Sequence, residues 1–84
     1  MGISEREKLV LNAIVDYYLT VGDTIGSRTL VKKYGIELSS ATIRNVMADL
    51  EDMGFIEKTH TSSGRIPTDM GYKYYLTELL KVER

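Results

Sequence analysis

Ser39-Ser40-Ala41-Thr42-Ile43-Arg44-Asn45-Val46-Met47-Ala48-Asp49-Leu50-Glu51-Asp52-Met53-Gly54 reads as one helix with two unlike faces. Ser39 or Ser40 caps its start, because a serine hydroxyl accepts from the orphaned amides of a first turn. Gly54 takes the C′ position that stops it. Ile43, Val46, Met47, Leu50 and Met53 recur at i, i+3 and i+4, which predicts one buried face. Helical spacing places Ala41, Arg44, Asn45 and Ala48 opposite. Those residue types read a major groove. Arg bridges guanine O6 and N7, Asn bridges adenine N6 and N7, and an alanine methyl meets the thymine methyl. Small side chains at 41 and 48 also let a helix sit deep.

A shorter helix precedes this one. Ser27 caps it over residues 27–34, Gly35 ends it, and residues 36–38 are extended. Two helices joined by a turn of four or five residues, behind a longer first helix, suggest helix-turn-helix. The first helix covers residues 4–21, where Ser4 and Glu7 form an S-x-x-E capping box. Ten of the thirteen residues at 9–21 are apolar or Tyr, and Asn12, Asp16 and Thr20 make one narrow polar stripe. Such a helix is expected to be covered on most sides, as the prop of the core or as part of a subunit contact. Gly22-Asp23-Thr24-Ile25-Gly26 reads as a loop.

Downstream, residues 55–59 read as a short strand and His60-Thr61-Ser62-Ser63-Gly64 as a turn. Arg65-Ile66-Pro67 returns as an edge strand, where a proline is tolerated. Thr68 caps a last helix with Tyr72, Tyr75, Leu76, Leu79 and Leu80 on its apolar face, still in register at Arg84. The fold expected is mainly α: a winged helix-turn-helix over residues 1–67, with a three-helix core and a β-hairpin wing. An extra C-terminal helix follows over residues 68–84 and leads toward a part of the protein absent here.

Composition narrows the function. The 84 residues are 43% hydrophobic and 27% charged, which suits one small globular domain and not a disordered tail. No apolar run approaches the ~18 residues of a membrane span, and no leader-like segment opens the chain. With no Cys, disulfides and thiolate metal sites are excluded, and a lone His60 argues against a zinc site. No Walker-type or dinucleotide-type glycine motif is present. His60, Ser62 or Ser63, and Asp69 supply the residue types of a triad, but within one loop and its neighbour and with no oxyanion site implied. The expectation is a cytoplasmic protein that is not an enzyme, with no cofactor, metal, membrane or small-molecule substrate.

Net charge is −1, from 11 basic and 12 acidic residues, so any nucleic-acid footprint must come from arrangement. Residues 27–34, 38–48 and 58–68 hold Arg28, Lys32, Lys33, Arg44, Lys58 and Arg65, and none of the 12 acids. Ser39, Ser40 and Thr42 lie at a helix N-terminus, where hydroxyls and amides hold phosphate. Ser27, Arg28, Thr29 and Lys33 are backbone-contact candidates on the preceding helix. His60, Thr61, Ser62, Ser63, Gly64 and Arg65 are the wing candidates. Asp49, Glu51 and Asp52 sit at the far end of the reading helix, clear of the phosphates. Tyr72, Tyr74 and Tyr75 read as core and rim rather than a base-stacking platform. The alternative is a protein-interaction winged helix, using its apolar first and last helices and no nucleic acid.

Three stretches carry a family likeness: Gly26-Ser27-Arg28-Thr29-Leu30; Ser39 to Asn45 with Met47-Ala48-Asp49-Leu50-Glu51; and His60-Thr61-Ser62-Ser63-Gly64-Arg65-Ile66-Pro67-Thr68-Asp69 with Gly71-Tyr72. The chain resembles, over nearly its whole length, the N-terminal DNA-binding domain of the bacterial heat-inducible transcription repressors of the HrcA family. The third stretch is the most specific. The resemblance implies repression of heat-shock chaperone operons and homodimeric binding to an inverted-repeat operator of the CIRCE type. It also implies a chaperonin partner and a larger C-terminal part that carries dimerisation. It assigns residues 40–53 to the recognition helix and the segment around His60 to Arg65 to the wing. The family often has Ala at Ser63, an acid at Val46 and Pro near Thr24; these departures spare Arg44, Asn45 and Arg65.

Overall fold

A computed structural model of the chain describes residues 3–59 and 64–83. Elements run α1 (Glu5–Val21), α2 (Ser27–Tyr34), α3 (Ser40–Asp52), β1 (Ile56–Lys58), β2 (Arg65–Pro67) and α4 (Asp69–Glu83). Short-range chemistry sets most of these limits. Ser4 Oγ accepts from the Glu7 amide at 3.1 Å and Glu7 Oε1 accepts from the Ser4 amide at 2.9 Å, the reciprocal box expected of S-x-x-E. At α3 the cap is Ser39, whose Oγ accepts from the Thr42 amide at 3.1 Å. At α2 the cap is Gly26 and not Ser27: the backbone is extended at Gly26, and Ser27 is already the first helical residue. A glycine in that position costs only a few tenths of a kcal/mol relative to a serine. Gly35 closes α2 at φ 61°, a left-handed turn that a Cβ disfavours.

The core is continuous. Val10, Leu11, Ala13, Ile14 and Val15 of α1 meet Leu30 of α2, Ile43, Val46, Met47 and Leu50 of α3, and Ile25, Ile36 and Ile56. α1 touches α2, α3, α4 and β2, so it is the prop of the domain. Its covering is less complete than the composition suggests, since Leu9, Tyr18, Leu19 and Val21 are exposed. Met53 is also exposed, because it follows the last helical residue of α3 and passes beyond the core.

β1 and β2 pair antiparallel, with Ile56 opposite Pro67, Glu57 opposite Ile66 and Lys58 opposite Arg65. β1 is shorter than expected. The Phe55 amide donates to the Leu50 carbonyl at 2.9 Å and so belongs to the turn that closes α3. The loop before α2 is not merely a loop: Ile25 pairs with Arg65 in both directions, at 3.0 and 3.2 Å, adding a third edge to the hairpin. The turn expected at residues 60–63 lies outside the described residues. These features make a winged helix-turn-helix.

α4 departs from its sequence pattern. The apolar stripe predicts burial of Tyr72, Tyr75, Leu76, Leu79 and Leu80, yet only Tyr75 of these packs on the core; the other four are exposed. The buried edge is Gly71, Tyr74, Tyr75 and Glu78. A small residue decides this. Gly71 lies against the Phe55 carbonyl oxygen, and any Cβ there would collide with it. Tyr74 then packs on the Phe55 ring, with centroids 5.5 Å apart and planes at 59°. Thr68 locks the corner, accepting from the Gly71 amide at 3.1 Å and donating to the Gly54 carbonyl at 2.6 Å. Lys8 of α1 reaches Glu78 at 3.8 Å, and Glu5 and Glu78 together raise its pKa. Among the described residues no helix is long and apolar enough to cross a membrane.

Candidate nucleic-acid interface

α3 buries Ile43, Val46, Met47 and Leu50 and exposes Ala41, Arg44, Asn45 and Ala48. The two sets are complementary because the residues that anchor the helix leave only that arc for solvent. At its N-terminus Ser39 is exposed, and Ser40 and Thr42 are half-buried. Ser39 Oγ accepts from the Thr42 amide and donates to Thr42 Oγ1 at 2.9 Å. The cap therefore occupies the Thr42 amide, and the amides of Ser40 and Ala41 are the donors placed for an anion.

On α2, Arg28 and Thr29 are exposed and Ser27 is half-buried, all three in the first turn of the helix. Lys33 is exposed near the other end, its Nζ 5.9 Å from the centroid of the Tyr34 ring. Lys58 is exposed on β1. Of the expected wing residues, Gly64 is buried and Arg65 is half-buried. His60, Thr61, Ser62 and Ser63 lie outside the described residues, as does most of the supposed triad.

Two features of this region escaped the sequence reading. Glu51, expected to stand clear, bonds Arg65 Nε at 3.1 Å. Its position was readable: Glu51 follows Arg44 by seven residues and Ala48 by three, so helical spacing puts it on their side. The second is Asp16, which accepts from the Tyr34 hydroxyl at 2.8 Å and ties the end of α2 to α1. Burial, then the bond to Asp16, push the Tyr34 pKa up to about 12. Both residues border a cleft of 280 Å³ whose apolar wall includes Leu9, Ala13, Ile36 and Tyr75. No nucleophile and base meet there. Among the described residues no group of His, Asp and Glu is arranged to hold a metal ion.

No family model matches the chain. Individual proteins match it closely. Over all 84 residues the chain is 99% identical to a Fusobacterium nucleatum protein named heat-inducible transcription repressor HrcA. The chain belongs to the HrcA family, as its N-terminal domain. HrcA proteins of Desulforudis audaxviator and Geobacter sulfurreducens are 55% and 54% identical over 98% or more of the chain. The chain spans 24% of the length of each of these HrcA relatives. They are named as transcription repressors and not as enzymes. A solved structure described as a hypothetical protein superposes with a TM-score of 0.91 at 44% identity, covering 95% of this HrcA chain and 26% of its own. The SSV1 F-93 protein, at a TM-score of 0.65 and 21% identity, covers 99% of the chain and 91% of its own and shares the fold.

Proposed function

We propose that this HrcA domain is the sequence-specific DNA-binding module of a repressor of heat-shock chaperone genes. It reads one half of a CIRCE-type inverted repeat. The observation that carries the reading is the arc of Ala41, Arg44, Asn45 and Ala48, exposed on the second helix of a helix-turn-helix whose other face is wholly in the core. The repressor names of the relatives agree with it. In this reading Arg44 and Asn45 contact base edges. Ser39, Ser40, Thr42, Ser27, Arg28, Thr29 and Lys33 position the helix on phosphates, and the wing from His60 to Arg65 follows the flanking backbone. Two copies on an inverted repeat place their recognition helices about one turn of DNA apart, or a multiple of it. Homodimer formation, the chaperonin partner and action in the cytoplasm rest on the family resemblance and belong to the same proposal.

The test is Arg44→Ala against operator duplexes permuted one base pair at a time. The substitution should cost ~1–3 kcal/mol and flatten preference at a single base pair, with the melting temperature unchanged. An unaltered preference profile would remove Arg44 as a base reader. A second reading, a protein-interaction winged helix, draws on the exposed Leu9 and Leu19 of α1 and Leu76, Leu79 and Leu80 of α4. It requires that no duplex bind above background in low salt.

A further inference from the structure

We propose that Glu51 and Arg65 form a strut that sets the angle of the wing on the recognition helix. In this arrangement Arg65 serves DNA binding as a positioning residue and not as a phosphate ligand. The inference rests on the DNA-binding reading above and adds to it an acidic residue on the reading side of α3.

Three elements converge on the wing stem. The Arg65 backbone is bonded to Ile25 in both directions, at 3.0 and 3.2 Å. Its side chain turns to α3, where Nε donates to Glu51 Oε1 at 3.1 Å, with 17% of the Arg65 side chain and 33% of the Glu51 side chain exposed. The preceding Gly64 is pressed onto the segment before α2: a Cβ there would lie 2.6 Å from Thr24 Oγ1 and 3.1 Å from the Ile25 amide nitrogen. The wing therefore leaves the body at a point clamped between residues 24–25 and the last turn of α3. A planar guanidinium bonded through Nε has a fixed direction, so the pair fixes orientation as well as distance. The pairing also explains how a carboxylate is tolerated beside Arg44 and Ala48. Its charge is matched within the protein before any phosphate approaches.

The strut and the phosphate-ligand roles predict opposite signs. An acid beside DNA repels phosphate, so removing it should tighten binding if Arg65 is a free ligand. If the pair is a strut, Glu51→Ala should weaken operator binding about three- to tenfold, in the lower part of the range for coupled contacts. Protection of the DNA flank under the wing should be lost while protection under α3 persists. Arg65→Lys keeps the charge and loses the fork, and should weaken binding to a similar degree. The exposed neighbour Asp52→Asn should not weaken it. The log–log salt slope should stay unchanged in both weakened variants, whereas loss of a phosphate contact lowers it by about 0.9. Amide exchange at Ile25 and Arg65 tests the strut without DNA. It should quicken in Glu51→Ala and Arg65→Lys, with global melting preserved, and be restored by the reversed pair Glu51→Arg with Arg65→Glu. Tighter binding by Glu51→Ala, full binding by Arg65→Lys, or unchanged exchange at both amides would overturn the strut. If the unaltered chain binds no duplex, the DNA-binding reading falls, and with it the strut's part in DNA binding; the exchange data still decide whether the strut exists.

Discussion

Leu50 and Leu80 offer one substitution in two environments. Leu50 is fully buried between α3 and the core, whereas 65% of Leu80 is exposed on α4. Truncating a buried leucine loses its transfer free energy and leaves a cavity, together ~2–5 kcal/mol. A chain of 84 residues has roughly 4–13 kcal/mol of stability in total, at about 0.05–0.15 kcal/mol per residue. Leu50→Ala therefore removes a large share of it. With a urea m-value near ~1 kcal/mol per molar for a domain this small, the midpoint should fall by about 3 M. Leu80→Ala leaves no cavity and places a better helix former at an exposed site, so it should change stability by less than ~0.5 kcal/mol. Urea denaturation followed by far-ultraviolet circular dichroism gives both numbers under one set of conditions. A cost for Leu80→Ala comparable to that for Leu50→Ala would refute the orientation assigned to α4. It would restore the packing that the sequence pattern suggests.

Other consequences follow from single contacts. Gly71→Ala drives a methyl into the Phe55 carbonyl, so α4 must shift; a loss of about 1–3 kcal/mol is expected by thermal melting, and an unchanged melting temperature would contradict the close approach. Tyr34 holds its proton more tightly when folded, at about 12 against 10.0. Its contribution is therefore complete below pH 10 and declines as pH rises from 10 toward 12, when the unfolded chain ionises first. Tyr34→Phe should abolish that part of the pH dependence and cost ~1 kcal/mol at neutral pH through the lost bond to Asp16, both measurable from urea midpoints. Lys33→Ala should weaken binding evenly across sequences and lower the salt slope by about 0.9, a result that titration of operator and scrambled duplexes at several salt concentrations would check.

Much of this architecture is legible in local chemistry. The Ser4 and Ser39 caps, the Gly35 and Gly54 stops and the two-faced pattern of α3 each depend on residues within one helix, and periodicity captures them. Where structure depends on distant partners, the sequence is silent or misleading. In α4 the more apolar stripe faces outward, because close approach to Phe55 requires Gly71 and a glycine scores nothing in a hydrophobic pattern. The pairing of Ile25 with Arg65 joins single residues and leaves no alternation to detect. Glu51 reads in the sequence as an acid clear of the phosphates because its partner lies fourteen residues away, on another element. Arg44 and Asn45 were legible as exposed residues, since exposure follows from the burial of their helical neighbours.

The most direct measurement is fluorescence anisotropy of this chain with a CIRCE-type inverted repeat and with a scrambled duplex, at two salt concentrations. Salt weakens the phosphate contribution, common to both duplexes, far more than base-edge contacts. The account predicts tighter binding to the repeat, with a preference that persists at the higher salt. Equal binding to both duplexes at both concentrations would contradict base reading by α3, and absence of binding to either would replace DNA with a protein partner.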